Sequence, residues 1–99
     1  MKIAEDRVGD VTILRMSGRL ELEEGDLVFR DWINKLVAEG RVKIVLDFKN
    51  VSRIDSAGIG MVVGKLKTVR EKGGDMKLLN LNTRGQRVFG ITKLVFVFE

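Results

Sequence analysis

The chain has 99 residues and a net charge of +4, and it contains neither cysteine nor histidine. Disulfides, thiolate metal sites, Ser-His-Asp triads, histidine general bases and histidine-bound zinc are thereby excluded. Apolar residues make up 44% of the chain, enough for one packed core, and the length fits a single domain over residues 1–99.

No apolar run approaches the roughly 18 residues needed to span a bilayer. No apolar signal-peptide core follows Met1 and Lys2, so the chain reads as cytoplasmic, with no direct membrane insertion. No cluster of carboxylates suggests a metal site, and no cofactor is expected. The densest basic cluster, Lys65, Lys67, Arg70 and Lys72, has helical spacing and reads as a solvated helix face. The phenylalanines lie in apolar runs and not among the cations, so direct nucleic-acid binding is not expected.

Lys2 to Arg7 and Val11 to Ser17 read as two short strands joined by a turn at Val8, Gly9 and Asp10, a hairpin. An acidic stretch then runs to Asp26, a plausible helix N-cap. Phe29, Trp32, Ile33, Leu36 and Val37 follow at the spacing of one buried helix face, with Trp32 read as core, and Gly40 is placed to end the helix.

Lys43 to Phe48 contains the unbroken run Ile44-Val45-Leu46, which suits a central strand covered on both faces. Val51 to Ile54 leads into Asp55-Ser56-Ala57-Gly58. A second helix is predicted from about Gly58 to Lys72, with Ile59, Val62, Val63, Leu66 and Val69 on one face. Gly60 and Gly64, one turn apart, would let it approach its neighbours, and Gly73-Gly74 ends it. Met76 to Leu79 reads as a strand, Thr83 to Phe89 as a short helix opened by a Thr83/Gln86 capping box, and Leu94 to Phe98 as a last strand. Strands alternating with helices after an initial pair predict an α/β fold. Its sheet is mixed but mostly parallel, of four to five strands, with about three helices.

The Asp55-Ser56 pair closes a strand and opens a helix, the end of the sheet where α/β folds place functional loops. Gly58 and Gly60 remove side chains that would crowd this loop. Ser56 itself has two readings. It can be a helix N-cap, the common role of such a serine. It can also be an exposed hydroxyl whose phosphate would be favoured by the positive end of the helix and would repel an acidic surface. Catalytic readings fare worse. Position 63 is valine, which breaks the dinucleotide-loop spacing, no Walker sequence exists, and no histidine or neighbouring lysine can activate Ser56.

The segment Val51-Ser52-Arg53-Ile54-Asp55-Ser56-Ala57-Gly58-Ile59-Gly60 resembles the Asp-Ser-Ser/Thr-Gly-Leu-Gly signature of the STAS domain, specifically of the small bacterial anti-sigma factor antagonists. Gly18-Arg19-Leu20-Glu21 is similar to that family's Gly-Glu-Leu/Ile-Asp segment. Lys72-Gly73-Gly74 and the stretch from Arg87 to Leu94 are also alike, with the motifs in the same order along the chain. The resemblance implies a non-enzymatic binding protein that captures a kinase-type anti-sigma factor. That serine kinase would phosphorylate Ser56 and so release the antagonist, and a metal-dependent phosphatase of the PP2C type would reset it. Asp55, Ala57, Gly58 and Glu21 would border the partner interface.

Ala57 stands where the family has a second hydroxyl residue, which leaves Ser56 as the sole acceptor in the motif. Arg19 and Glu21 replace the usual Glu and Asp. The chain stops at Glu99, where many members continue into a final helix, so that helix is expected to be missing and an apolar patch to be exposed. The alternative within the same fold is an interaction module of a transport complex or another signalling scaffold, with Ser56 unmodified.

Overall fold

The computed structural model describes residues 1–81 and 97–98. Chain order gives β1 (Lys2–Val8), β2 (Val11–Leu20), α1 (Asp26–Ala38), β3 (Lys43–Ile54), α2 (Ser56–Glu71), β4 (Asp75–Leu79) and β5 (Val97–Phe98). The strands form one sheet in the order β1-β2-β3-β4-β5, with β1 antiparallel to β2 and every other pair parallel. The α/β class, the hairpin and the mixed, mostly parallel sheet expected from the sequence are all present. The helix predicted from Thr83 to Phe89 and most of the strand predicted from Leu94 lie outside the described residues.

Strand order equal to chain order fixes the layering. Right-handed crossovers that always step the same way put α1 and α2 on the same face of the sheet. The burial pattern agrees. Thr12, Leu14 and Met16 on β2, Ile44, Leu46 and Phe48 on β3, and Met76 and Leu78 on β4 are buried, while the residues between them are at least partly exposed. They meet Phe29, Ile33 and Leu36 of α1 and Val62, Leu66 and Val69 of α2 in one core. The sequence reading of β3 as covered on both faces is therefore corrected. It is central, but Val45 lies on the face away from the helices and is only half-buried.

Both helices end by the same device. The Gly40 and Arg41 N–H groups donate to the Val37 and Leu36 carbonyls, and those of Gly73 and Gly74 to Arg70 and Val69. This Schellman closure needs a left-handed residue after the cap, which Gly40 (φ 75°) and Gly73 (φ 84°) provide.

Several local expectations change. β2 runs on to Leu20 and β3 continues unbroken to Ile54, because the two strands stay paired to their carboxyl ends despite register shifts around Ser17 and Arg19. Asp26 is the first residue of α1 and not its cap, since Gly25, with φ 130°, takes that position. Trp32 only flanks the core, half-buried, with the Lys35 ammonium 5.3 Å from its ring centre. Gly60 and Gly64 permit no close approach, because a Cβ at either would meet nothing within 4 Å. In the basic cluster, Lys65 is hydrogen-bonded to Asn34 and Arg70 is paired with Asp75, while Lys67 and Lys72 are exposed.

Candidate functional site

The carboxyl ends of β2 and β3 lie side by side, with Leu20 in register with Ile54. The chain leaves β2 into the loop that precedes α1 and leaves β3 directly into α2. Sheet pairing thus brings Glu21 and Asp55-Ser56 to one edge although they are far apart in sequence.

Asp55 joins the two exits. Its backbone N–H donates to the Leu20 carbonyl (3.3 Å). Its Oδ1 accepts from the Gly58 N–H (2.8 Å), which caps α2, and its Oδ2 accepts from the Leu22 N–H (3.0 Å) in the loop after β2. The Gly58 N–H, and next the Leu22 N–H, hold the Asp55 carboxyl below the ordinary carboxylate range against a smaller opposing cost of desolvation.

The cap reading of Ser56 is thereby corrected. Asp55 is the N-cap and Ser56 is the first residue of α2, so the helix also starts two residues earlier than predicted. Ser56 is exposed, and its hydroxyl makes no hydrogen bond among the described residues. Among the described residues no base stands ready to activate it, since the adjacent carboxylate is engaged by two N–H groups and held at low basicity. A phosphate there would sit at the positive end of a 16-residue helix.

Gly58 is buried and sits hard against β2. A Cβ at this position would lie 2.1 Å from the Leu20 carbonyl oxygen and 3.1 Å from Ile54 Cγ1. Glycine here is a condition for docking α2 on the strand ends. Gly60, grouped with it in the sequence reading, is exposed and has open space around it. Ala57 is half-buried.

Glu21 is partly buried, with its Oε2 3.7 Å from Arg53 Nε. The loop that follows is tightly built. Glu23 adopts φ 62°, Glu24 N–H donates to the Glu21 carbonyl, and a Cβ at Gly25 would fall 2.3 Å from the Arg19 carbonyl oxygen. Buried Asp26 closes it, its Oδ1 accepting from the Glu23 and Leu27 N–H groups. On this frame Leu22 is presented to solvent, 63% exposed, with Leu27 and Val28 exposed on the first turn of α1.

Sequence reasoning brought Asp55, Ser56, Gly58 and Glu21 to this edge but missed Leu22, Asp26 and Arg53 as parts of it. Gly25-Asp26 ahead of an apolar stripe was a visible signal for the loop closure. The Asp55–Leu22 bond had none, because it depends on the pairing of β2 with β3. Among the described residues no group of three or more acidic side chains is placed to hold a metal ion, and no helix is long and apolar enough to cross a membrane.

A family model described as the STAS domain matches residues 2–99. A Thermotoga neapolitana protein named as a candidate anti-sigma factor antagonist is 38% identical over 88 residues, covering 88% of this chain and 77% of that one. The anti-sigma F factor antagonist of Paenibacillus polymyxa is 29% identical over 92 residues, covering 90% of this chain and 79% of its own. The crystal structure of a candidate anti-sigma factor antagonist from Thermotoga maritima superposes with a TM-score of 0.88 at 30% identity, covering 98% of this chain and 86% of that one. These relatives are named for opposing a regulatory protein, a binding role and not a catalytic one. With the sheet order, the Asp55-capped helix and a match over nearly its whole length, the chain belongs to the STAS domain family.

Proposed function

We propose that this protein is an anti-sigma factor antagonist that binds a kinase-type anti-sigma factor in the cytoplasm and is switched off when that kinase phosphorylates Ser56. The observation that carries the reading is the division of labour between Asp55 and Ser56. Asp55 performs the capping, so the Ser56 hydroxyl is exposed and uncommitted. A serine engaged as a cap would have to break its bond to be modified, and this one does not.

Phosphate at Ser56 carries close to two negative charges, and it needs no refolding to change the surface on which it sits. Ser56, Asp55 and Ala57 contribute to the partner contact, Gly58 lets the helix sit where it does, and Glu21 acts through the loop it begins. Exposed Leu22 adds an apolar contact beside the acceptor. A phosphatase of the PP2C type resets the switch. The relatives' names support the role, and the Asp55-Ser56-Ala57-Gly58 motif supports the acceptor.

The test is incubation of the protein with kinase-type anti-sigma factors and ATP, followed by mapping of phosphate by mass spectrometry. The expected result is one phosphate, on Ser56, that abolishes binding. Modification of Ser56→Ala to the same extent, or a phosphorylated form that binds as tightly as the unmodified one, would overturn the reading.

A further inference from the structure

Arg19 and Arg53 are register partners on the adjoining ends of β2 and β3. Each precedes a residue packed into or against the core, Leu20 and Ile54, so strand alternation sends both side chains to the face away from the helices. Both residues are exposed. Among the described residues a single carboxylate answers the two cations. Glu21 Oε2 lies 3.7 Å from Arg53 Nε, and the Arg53 side chain remains 66% exposed. The Arg19 side chain makes no hydrogen bond or ion pair among the described residues. Like charges side by side on neighbouring strands repel, so the juxtaposition of the two cations does not itself stabilise the fold.

The pair sits at the strand ends from which Asp55 and Ser56 emerge, and the sign of its charge constrains the partner. A partner surface that is acidic at this point is drawn to the two arginines and repelled by a phosphate on Ser56. One sign of charge then accounts for both capture and release. A basic surface would instead be drawn to Glu23 and Glu24, which are exposed on the same loop, and phosphorylation would tighten it.

We infer that Arg19 and Arg53 form the partner-selecting contact of this edge, and that the anti-sigma factor docking over Ser56 presents acidic side chains to them. The identity of the partner rests on the function proposed above. Glu21, facing Arg53, is a positioning residue that holds this guanidinium at the edge.

The probe is the purified kinase-type anti-sigma factor, titrated with the full chain by calorimetry at low and at high salt. Arg19→Glu and Arg53→Glu should each weaken binding about tenfold at low salt, and the double reversal should abolish the fall in affinity that salt causes in the wild type. The Arg19→Lys/Arg53→Lys variant keeps the charge and should bind within about threefold of wild type. Thermal melts of the variants separate loss of the contact from loss of the fold. Charge reversals that leave affinity and salt dependence unchanged, or that tighten binding, overturn the inference. Phosphate on wild-type Ser56 is scored separately, after incubation of the same probe and protein with ATP. A probe that modifies Ser56 yet ignores the charge reversals sinks the doublet alone. A probe that binds without modifying Ser56 sinks the kinase switch, and the titration still decides the doublet.

Discussion

The Asp55 carboxylate is hydrogen-bonded to the Leu22 backbone N–H at 3.0 Å, a contact between residues separated by 33 positions. Its other oxygen caps α2 through Gly58. One side chain therefore fixes the start of the helix that carries Ser56 and the loop that presents Leu22. Ser56 and Leu22 cannot shift independently while both bonds hold.

Replacing Asp55 should accordingly uncouple the two. Asp55→Ala removes both acceptors and should lower the melting temperature by several degrees, with faster amide exchange at Leu22 and Gly58 together. Exchange that rises at Gly58 alone would mean that the carboxylate does not join the loop to the helix.

The same bonds set a pH dependence. Because Asp55 titrates below its ordinary range in the folded state, its stabilising contribution is complete above the unfolded value of about 4 and is lost as pH falls through the lower folded value. Asp10, lowered chiefly by its hydrogen bond to Lys43, acts in the same direction but is present in both proteins compared. Asp55→Asn should be less stable than wild type near neutrality, and the gap in urea midpoint should narrow steadily below about pH 4. A gap that is constant from neutral to acid pH would count against this assignment.

Two glycines separated by half a turn should respond with opposite signs. Gly58→Ala forces a Cβ to within 2.1 Å of a backbone oxygen that has no freedom to retreat. It should cost about 3 kcal/mol or more, far beyond any gain in helix propensity. Gly60→Ala meets open space on the exposed face of the same helix and should stabilise by about 0.5–1 kcal/mol. Urea melts of the pair decide it, and equal effects would contradict the docking geometry of α2.

That contrast also marks what the sequence could and could not tell. The stripes Phe29-Ile33-Leu36 and Val62-Leu66-Val69, the Ile44-Val45-Leu46 run and the glycines at Gly40 and Gly73 are local patterns with local causes, and the elements they predict are all found. Gly58 and Gly60 look alike in sequence, and only packing against Leu20 separates them. Asp55 and Ser56 compete for one capping position, and the winner also reaches Leu22, a neighbour supplied by sheet register. Arg19 and Arg53 are opposite each other for the same reason. Local patterns found the elements, and strand pairing assembled the site.

The capping assignment can be tested on Ser56 directly. If Ser56 were the cap, alanine would cost about 1 kcal/mol. With Asp55 as the cap and the Ser56 side chain in solvent, Ser56→Ala should alter stability by less than about 0.5 kcal/mol while removing the proposed phosphoacceptor. Equilibrium unfolding distinguishes the two values, and a loss near 1 kcal/mol would return the cap to Ser56.

The core at the end of β2 remote from the site contains an unbalanced polar group. Thr12 is fully buried on the helix-covered face of β2, and its hydroxyl has no partner among the described residues. A buried hydroxyl without a hydrogen bond costs about 1–3 kcal/mol relative to its hydrated state. Valine has nearly the same shape, keeps the branched Cβ that suits a strand and carries no polar atom. Thr12→Val should therefore raise stability by about 1 kcal/mol, read as a higher urea midpoint at unchanged slope. It should leave phosphorylation of Ser56 untouched, because Thr12 lies at the opposite end of β2 from Leu20. Thr12→Ala, which also removes the hydroxyl but leaves space where the methyl packed, should be less stable than Thr12→Val. If both variants are destabilised alike, the hydroxyl is satisfied in solution and the core owes it part of its stability.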